Sequence, residues 1–320
     1  MRILLVKTSS LGDVVHNLPV ASDLARRRPD AVIDWVVEES FADIPRLHPA
    51  ISRVIPVAVR RWRRSLLAPA TWSEMAAFRR ELRQLPYDLV LDSQGLLKSA
   101  LITRQARLAE GGRCCGQDAA SAREPLAARF YDRTCAVPRQ LHAVERNRVL
   151  AAAAMEQGNS LPLDYGIRVP SLVADWLPKS GYAVLLTATS RADKEWPDPD
   201  WHALGLALIA TGLRCVLPGG SPPERSRAAR LAAQLGRAVA APAMGLAELA
   251  ALLSGASLVV GVDTGLVHLA AALDRPTLAL FCGSDPGLTG VYAGPKARNL
   301  GSAGRPPSAR EAVAAALQLL

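Results

Sequence analysis

The chain alternates short, wholly apolar runs with longer stretches in which apolar residues recur every three or four positions. Ile3-Leu4-Leu5-Val6, bounded by Arg2 and Lys7, is the first such run. A short apolar block with charged ends predicts a strand buried on both faces. It passes into the polar, glycine-containing turn Thr8-Ser9-Ser10-Leu11-Gly12-Asp13, and a helical stretch is predicted from there to about Arg28, with Pro19 near its first turns. The same reading places strands at 31–37, 51–57 and 87–92 and a helix over 74–85. Between about 161 and 179 the rhythm breaks, with Pro162, Pro170 and Pro178 in a weakly periodic stretch. Beyond it the alternation restarts, with strands at 182–187, 214–217, 257–261 and 277–281 and helices from 200, 223 and 264. A terminal helix over about 309–320 follows, with Ser308 as its N-cap.

Strand and helix in alternation predict parallel sheets with crossover helices. The expected fold is α/β: two Rossmann-like, doubly wound domains, 1–165 and 166–320, facing across a cleft, with the last helix left free to pack back on the first domain. A length of 320 residues suits two domains. Half the residues are hydrophobic and 21% charged, which excludes disorder. No apolar run reaches the ~18 residues of a membrane span, and residue 3 already opens a strand where a signal peptide would lie, so a soluble, cytoplasmic chain is expected. The five cysteines, Cys114, Cys115, Cys135, Cys215 and Cys282, are odd in number and lack metal-ligand spacing. They read as reduced structural thiols, and no metal is expected.

Charge changes the picture more. The net charge is +9, and Arg46, Arg53, Arg60, Arg61, Arg63 and Arg64 occur with no acid between Asp43 and Glu74. Such a patch attracts an anion: nucleic acid, lipid headgroups or a phosphorylated substrate. Scattered arginines read as solvated surface. Arg60-Arg61-Trp62-Arg63-Arg64 reads as functional, because five large side chains in a row are not expected to be dispersed by helical geometry. No aromatic platform or helix-turn-helix pattern accompanies it, which argues against nucleic acid.

In doubly wound sheets ligands bind beyond the carboxyl ends of the strands. The loop from Lys7 to Asp13 offers an ammonium, hydroxyls including that of Ser10, backbone amides and one carboxylate. Asp13 suits either a helix cap or a general base that activates a hydroxyl. The Gly-x-Gly-x-x-Gly and Walker spacings are absent. In the second half, Thr189-Ser190-Arg191-Ala192-Asp193-Lys194 ends a strand with hydroxyls and a lysine, a set that binds a diphosphate or makes an ordinary turn. Asp263-Thr264-Gly265-Leu266-Val267-His268 ends another and opens a helix whose amides can receive phosphate oxygens. His268 falls about one turn into that helix, near the same mouth. Glu224, after Pro218-Gly219-Gly220, could accept from ribose hydroxyls or stabilise a first helical turn.

Together these segments resemble the bacterial lipopolysaccharide heptosyltransferases of glycosyltransferase family 9, over nearly the whole chain. The marks are Val6-Lys7-Thr8-Ser9-Ser10-Leu11-Gly12-Asp13-Val14, Asp92-Ser93-Gln94-Gly95-Leu96-Leu97-Lys98-Ser99 and Val262-Asp263-Thr264-Gly265-Leu266-Val267-His268-Leu269. Arg60-Arg61-Trp62-Arg63 and Arg123-Glu124-Pro125-Leu126-Ala127 point to the members that add the first heptose of the inner core. The resemblance implies a GT-B fold with acceptor on the first domain and nucleotide sugar on the second. It implies inverting transfer of heptose from ADP-L-glycero-β-D-manno-heptose to the 5-hydroxyl of a Kdo residue on Kdo2-lipid A. The alternatives are a member with another acceptor or nucleotide sugar, such as the second heptosyltransferase, and a catalytically silent binder.

By the same resemblance Asp13 is the general base, with Lys7 near the reacting groups. Thr189, Ser190, Lys194, Glu224, Met244, Asp263, Thr264, Gly265 and His268 contact the donor. Ser10, Arg60, Arg61, Arg63, Arg64 and Arg123 grip the acceptor. No cofactor or metal is implied. The protein would act as a monomer, peripheral on the anionic cytoplasmic face of a Gram-negative inner membrane, with Trp62 and its flanking arginines on the headgroups.

Overall fold

A computed structural model describes residues 1–158, 161–189 and 191–320. The chain divides into two compact units, Met1–Arg168 and Val169–Leu320.

The first unit holds six strands: β1 (Arg2–Val6), β2 (Val32–Glu38), β3 (Ile51–Val57), β4 (Tyr87–Asp92), β5 (Leu108–Gln117) and β6 (Arg133–Cys135). They form one parallel sheet in the order β3-β2-β1-β4-β5-β6. Ile3, Leu4, Leu5 and Val6 are fully buried, as an uninterrupted apolar run between two helical layers requires. The second unit repeats the plan with β7 (Tyr182–Leu186), β8 (Arg214–Leu217), β9 (Ala238–Ala240), β10 (Leu258–Val262), β11 (Thr277–Phe281) and β12 (Ala297–Gly301). Its order, β12-β11-β10-β7-β8-β9, is the first sheet's order read from the other edge. In each sheet the order of strand addition reverses once, between β1 and β4 and between β7 and β10. Loops leaving neighbouring strands diverge there, and that is where a doubly wound sheet opens a ligand crevice.

Some elements differ from the sequence expectation. The helix expected to run unbroken to Arg28 is two, Leu11–Val15 and Leu18–Arg27, because Pro19 has no N–H to continue the first and instead occupies the first turn of the second. The helix expected at 74–85 runs Pro69–Leu82, again with proline in its first turn. β5, β6, β9 and β12 carry no clear apolar run: β5 is half-buried or exposed over its first six residues and buries only its end, Cys114 to Gln117.

The last helix, Ala309–Leu317, begins at the expected cap, Ser308, whose hydroxyl accepts from the Glu311 N–H. The sequence reading allows it to pack on the first domain. Its buried face of Ala312, Ala315 and Ala316 is instead part of the second unit's own core, with Trp201, Leu204 and Leu208. All five cysteines are free and buried. Burial pushes the Cys114 and Cys115 thiols up to about 12 and about 11, which suits inert core residues.

The first unit keeps its chain to Arg168, beyond the expected boundary after 165. Arg168 N–H donates to the Leu47 carbonyl at 2.9 Å. Gly166, at φ +64°, lies so close to His48 that a Cβ there would collide with Nε2. His48 Nδ1 accepts from Ala50 N–H at 3.1 Å, so Nε2 carries the proton and donates to Ser22 Oγ at 2.9 Å. Burial, partly offset by Asp164, lowers the His48 pKa to about 4 from 6.5. The neutral ring therefore supports the fold fully above pH 6.5. That support is lost as the pH falls toward 4, because the unfolded chain takes the proton first. Denaturant titrations of the whole chain should show up to roughly 3 kcal/mol lost across that interval from this group, and a flatter profile in His48→Gln.

Candidate active site

At the first reversal, Val6 pairs with Val36 on one side and Asp92 on the other, so the loops after β1 and β4 leave side by side. Gln94 joins them: its buried Oε1 accepts the N–H groups of both Thr8 and Ser9 at 3.1 Å. Asp92 in turn fixes that loop, accepting from Gln94 N–H at 2.8 Å, Gly95 N–H at 3.3 Å and Tyr131 OH at 2.8 Å. Its full burial raises its carboxyl pKa against those bonds.

Lys7 lies at the end of β1, buried, with its ammonium donating to the Ser93 carbonyl at 2.7 Å and to Asn147 Oδ1 at 3.4 Å. Burial lowers its pKa; Asp13 and Asp92 oppose this, and Arg146 and Arg123 add to it. Asp13 stands one turn into the short helix Leu11–Val15. One of its oxygens, Oδ2, accepts from Ser10 N–H at 2.8 Å and Ser10 Oγ at 3.1 Å. The capping role is thus real, and it fixes the carboxylate at the loop's mouth.

Lys98 completes this corner. Its ammonium donates to Ser9 Oγ at 2.8 Å. Burial depresses its pKa, Glu38 and Asp13 draw it up, and Arg60 and Arg63 push it down. Glu38 is itself buried, with its pKa raised by that burial, and accepts from Arg60 N–H at 2.9 Å. The structure therefore gathers Lys7, Ser10, Asp13, Arg60, Arg63 and Arg123 about one switch point. It adds Lys98, Gln94 and Asp92, which the sequence marks only as part of the family resemblance. Their signal was position: all three follow or end β4, the strand on the far side of the reversal.

The basic run is not one patch. Residues Val59–Trp62 form a short helix that disperses it, contrary to expectation. Arg61 is paired with Glu39 at 3.0 Å and Glu74 at 2.7 Å. Arg60 lies 5.1 Å from the Phe41 ring centroid. Trp62 is buried in the core, edge-on to Phe78 with its Nε1–H on Glu74 at 2.8 Å, so it cannot rest on lipid headgroups. Arg60, Arg63 and Arg64 are exposed, and none of their guanidiniums pairs with a carboxylate among the described residues.

The second unit's reversal collects a compact ionic group. Asp263, just after β10, accepts from Lys194 Nζ at 2.6 Å and Ser284 Oγ at 2.5 Å, and lies 3.5 Å from His268 Nε2. Burial would raise its carboxyl pKa, but the bonds from His268, Lys194 and Ser284 hold it well below the usual carboxylate range. Thr189 Oγ1 donates to the Asp263 carbonyl at 3.3 Å. The helix Gly265–Ala272 starts here, and its N-cap Thr264 makes no side-chain capping bond, so the first-turn N–H groups face the mouth uncapped. Beside it lies a cavity of 220 Å³, lined by Thr189, Thr264, Glu224 and Met244 with Leu186, Pro218 and Leu266. Glu224 Oε2 accepts from Gly220 and Ser221 N–H at 2.8 and 2.9 Å, so its capping role is also present. Ser190 lies outside the described residues. Ser284 was missed because it follows β11, one strand beyond the reversal. The chain's one Asp-x-Asp, Asp198-Pro199-Asp200, is engaged elsewhere: Asp198 pairs with Arg227 at 2.7 Å and Arg230 at 2.9 Å.

The family described as glycosyltransferase family 9 (heptosyltransferase) matches residues 75–315. The chain belongs to glycosyltransferase family 9. As a member it is a glycosyltransferase with the GT-B fold. It is 50% identical over 295 residues to lipopolysaccharide heptosyltransferase 1 of Pseudomonas aeruginosa, covering 91% of this chain and 81% of that one. The Salmonella typhimurium counterpart is 47% identical over the same length, with 91% and 92% covered. Among solved structures it resembles the E. coli heptosyltransferase WaaC with ADP at TM-score 0.89 and 42% identity, over 99% of this chain and 98% of the other. No helix among the described residues is long and apolar enough to cross a membrane.

Proposed function

We propose that this family 9 enzyme transfers L-glycero-D-manno-heptose from ADP-heptose to the 5-hydroxyl of Kdo on Kdo2-lipid A, with inversion. The relatives' names supply the sugar and the pathway. The observation that carries the reading at the level of chemistry is the second switch point, where Lys194 and an uncapped helix N-terminus adjoin a largely apolar cavity. That set fits a nucleoside diphosphate: the base against Met244 and Leu186, ribose hydroxyls on the Glu224 oxygen not used for capping, and phosphates on Lys194, Thr189 and the amides of Gly265 and Leu266.

In the reaction the Asp13 carboxylate takes the proton of the acceptor hydroxyl as its oxygen forms a bond to the anomeric carbon. The bond from that carbon to the diphosphate breaks, and its electron pair leaves with ADP. Lys194, held by Asp263, and the helix terminus stabilise the negative charge that develops. Lys7 and Lys98 hold the β1 loop in shape and keep its field positive. Arg60, Arg63 and Arg123 bind the acceptor's carboxylates and phosphates; Arg61 and Arg64 take a smaller part, the first because two carboxylates already engage it. The enzyme works on the cytoplasmic face of the inner membrane.

Incubation with ADP-heptose and Kdo2-lipid A, read by mass spectrometry, should show one added heptose and released ADP, undiminished by a chelator. No product with this pair, but product with another sugar nucleotide or a heptosylated acceptor, would move the protein to another member's role.

A further inference from the structure

Leu66, Leu67 and Trp72 are 49%, 99% and 59% exposed, within seven residues of one another and on the unit that carries Asp13. Large apolar side chains on a protein surface are normally scattered singly. These three are grouped and held in place. Trp72 Nε1–H donates to the Leu66 carbonyl at 2.9 Å, and Thr71 Oγ1 to the Ser65 carbonyl at 2.8 Å. The first turn of the helix Pro69–Leu82 thereby folds the preceding loop against itself into an apolar tip.

The same helix buries Thr71, Phe78 and Leu82. Steps of about 100° per residue put Trp72, Ala76, Arg79 and Arg83 on one stripe turned away from that face, with Arg80 next to it and opposite the buried side. Ala76, Arg79, Arg80 and Arg83 indeed line one shallow depression. Arg63 and Arg64 precede the tip on its other side. Among the described residues none of these five guanidiniums forms an ion pair with a carboxylate, in contrast to Arg61. From Arg60 to Arg83 the chain holds seven arginines and two acids, Glu74 and Glu81.

We propose that this tip docks the enzyme on an anionic bilayer, with Leu66, Leu67 and Trp72 in the boundary between headgroups and acyl chains and Arg63, Arg64, Arg79, Arg80 and Arg83 on the lipid phosphates. An indole with two leucines, ringed by unpaired arginines, matches the layered chemistry of such a surface: apolar below, anionic above. A second copy of this basic chain would bring like charge to the same ring. The surface is also continuous with the acceptor corner, because Arg60 and Arg63 act on the Lys98 ammonium that bonds the Asp13 loop. The inference rests on the reading of the acceptor as a glycolipid; docking here brings the Asp13 loop to a sugar that stays anchored in its membrane. It also moves the membrane contact from Trp62 to Trp72.

The test is flotation of the full chain with vesicles of phosphatidylethanolamine and phosphatidylglycerol, against vesicles of phosphatidylcholine alone. The wild type should float with the anionic vesicles and much less with the neutral ones. Leu66→Ser with Leu67→Ser and Trp72→Ser should lower the partition coefficient at least about tenfold. Arg79→Glu with Arg80→Glu should do the same and flatten the salt dependence. Leu67→Ser alone, at a site with no packing to lose, should lower it about threefold. All should transfer heptose to a water-soluble, deacylated acceptor at the wild-type rate. Unchanged flotation of the apolar variants overturns the proposal. So does a wild-type dimer that these substitutions dissociate without affecting flotation. Failure of the wild type on the soluble acceptor would instead strike the proposed function and leave the flotation result standing.

Discussion

Asp13→Asn is expected to lower kcat about a thousandfold, within the 10²–10⁴ range that a positioned general base contributes. ADP-heptose binding by calorimetry should change by less than about twofold, because the residues proposed to hold the donor all belong to the other unit. Asparagine keeps an oxygen for the Ser10 N–H and hydroxyl, which now lie 2.8 and 3.1 Å from Asp13 Oδ2. The cost to the helix should therefore stay below about 1 kcal/mol, and the rate loss cannot be assigned to a collapsed loop. Asp13→Ala loses both roles and should be less stable than Asp13→Asn while no less impaired in kcat. A variant with unchanged kcat on saturating acceptor would remove Asp13 from the proton transfer.

The second large effect concerns Asp263. Its carboxylate holds Lys194 at 2.6 Å and Ser284 at 2.5 Å and faces His268. Asp263→Ala leaves a partly buried ammonium unpaired. Removing one partner of a fully buried pair costs about 3–5 kcal/mol; with the two side chains 18% and 11% exposed, about 2 kcal/mol is expected. Activity should suffer more: kcat/KM for ADP-heptose should fall about a hundredfold or beyond, since Lys194 loses the partner that holds it for its proposed role on the departing diphosphate.

The pH dependence follows from the sign of the shift. Asp263 in the fold sits below its ordinary 3.8, so its stabilising contribution is complete above that value and is lost only as the pH falls beneath it. The stability gap between wild type and Asp263→Ala should be constant near neutrality and narrow in acid. A gap that narrows between about pH 6 and 8, outside the window set by the carboxylate's own shift, would contradict the assignment.

The sequence carried the central strands because they are buried on both faces. Ile3 to Val6, Tyr87 to Asp92 and Thr277 to Phe281 appear as runs that only a sandwiched strand explains. Edge strands lack that signature: no residue of Ala238–Ala240 or Ala297–Gly301 is fully buried. Their pairing is imposed by the sheet rather than written in their composition.

The site divides in the same way. Loops that end central strands could be marked from polarity and glycine alone. The dual service of Asp13 and Glu224, capping with one oxygen, was an open choice in the sequence and proves to be a shared one. The partners that set charge and posture, Gln94, Lys98 and Ser284, sit on other strands' loops, and only the strand order brings them in. The arginine run misled because its spacing hid a short helix. One turn sends Trp62 inward and commits Arg61 to two glutamates.

One structure would decide the mechanism: the Asp13→Asn enzyme with ADP-heptose and a soluble Kdo acceptor both bound. The amide that replaces the carboxylate should lie about 3 Å from the acceptor hydroxyl, with that oxygen facing the anomeric carbon on the side opposite the diphosphate. An amide with no direct or single-water path to the hydroxyl, or a different side chain in its place, would contradict the account.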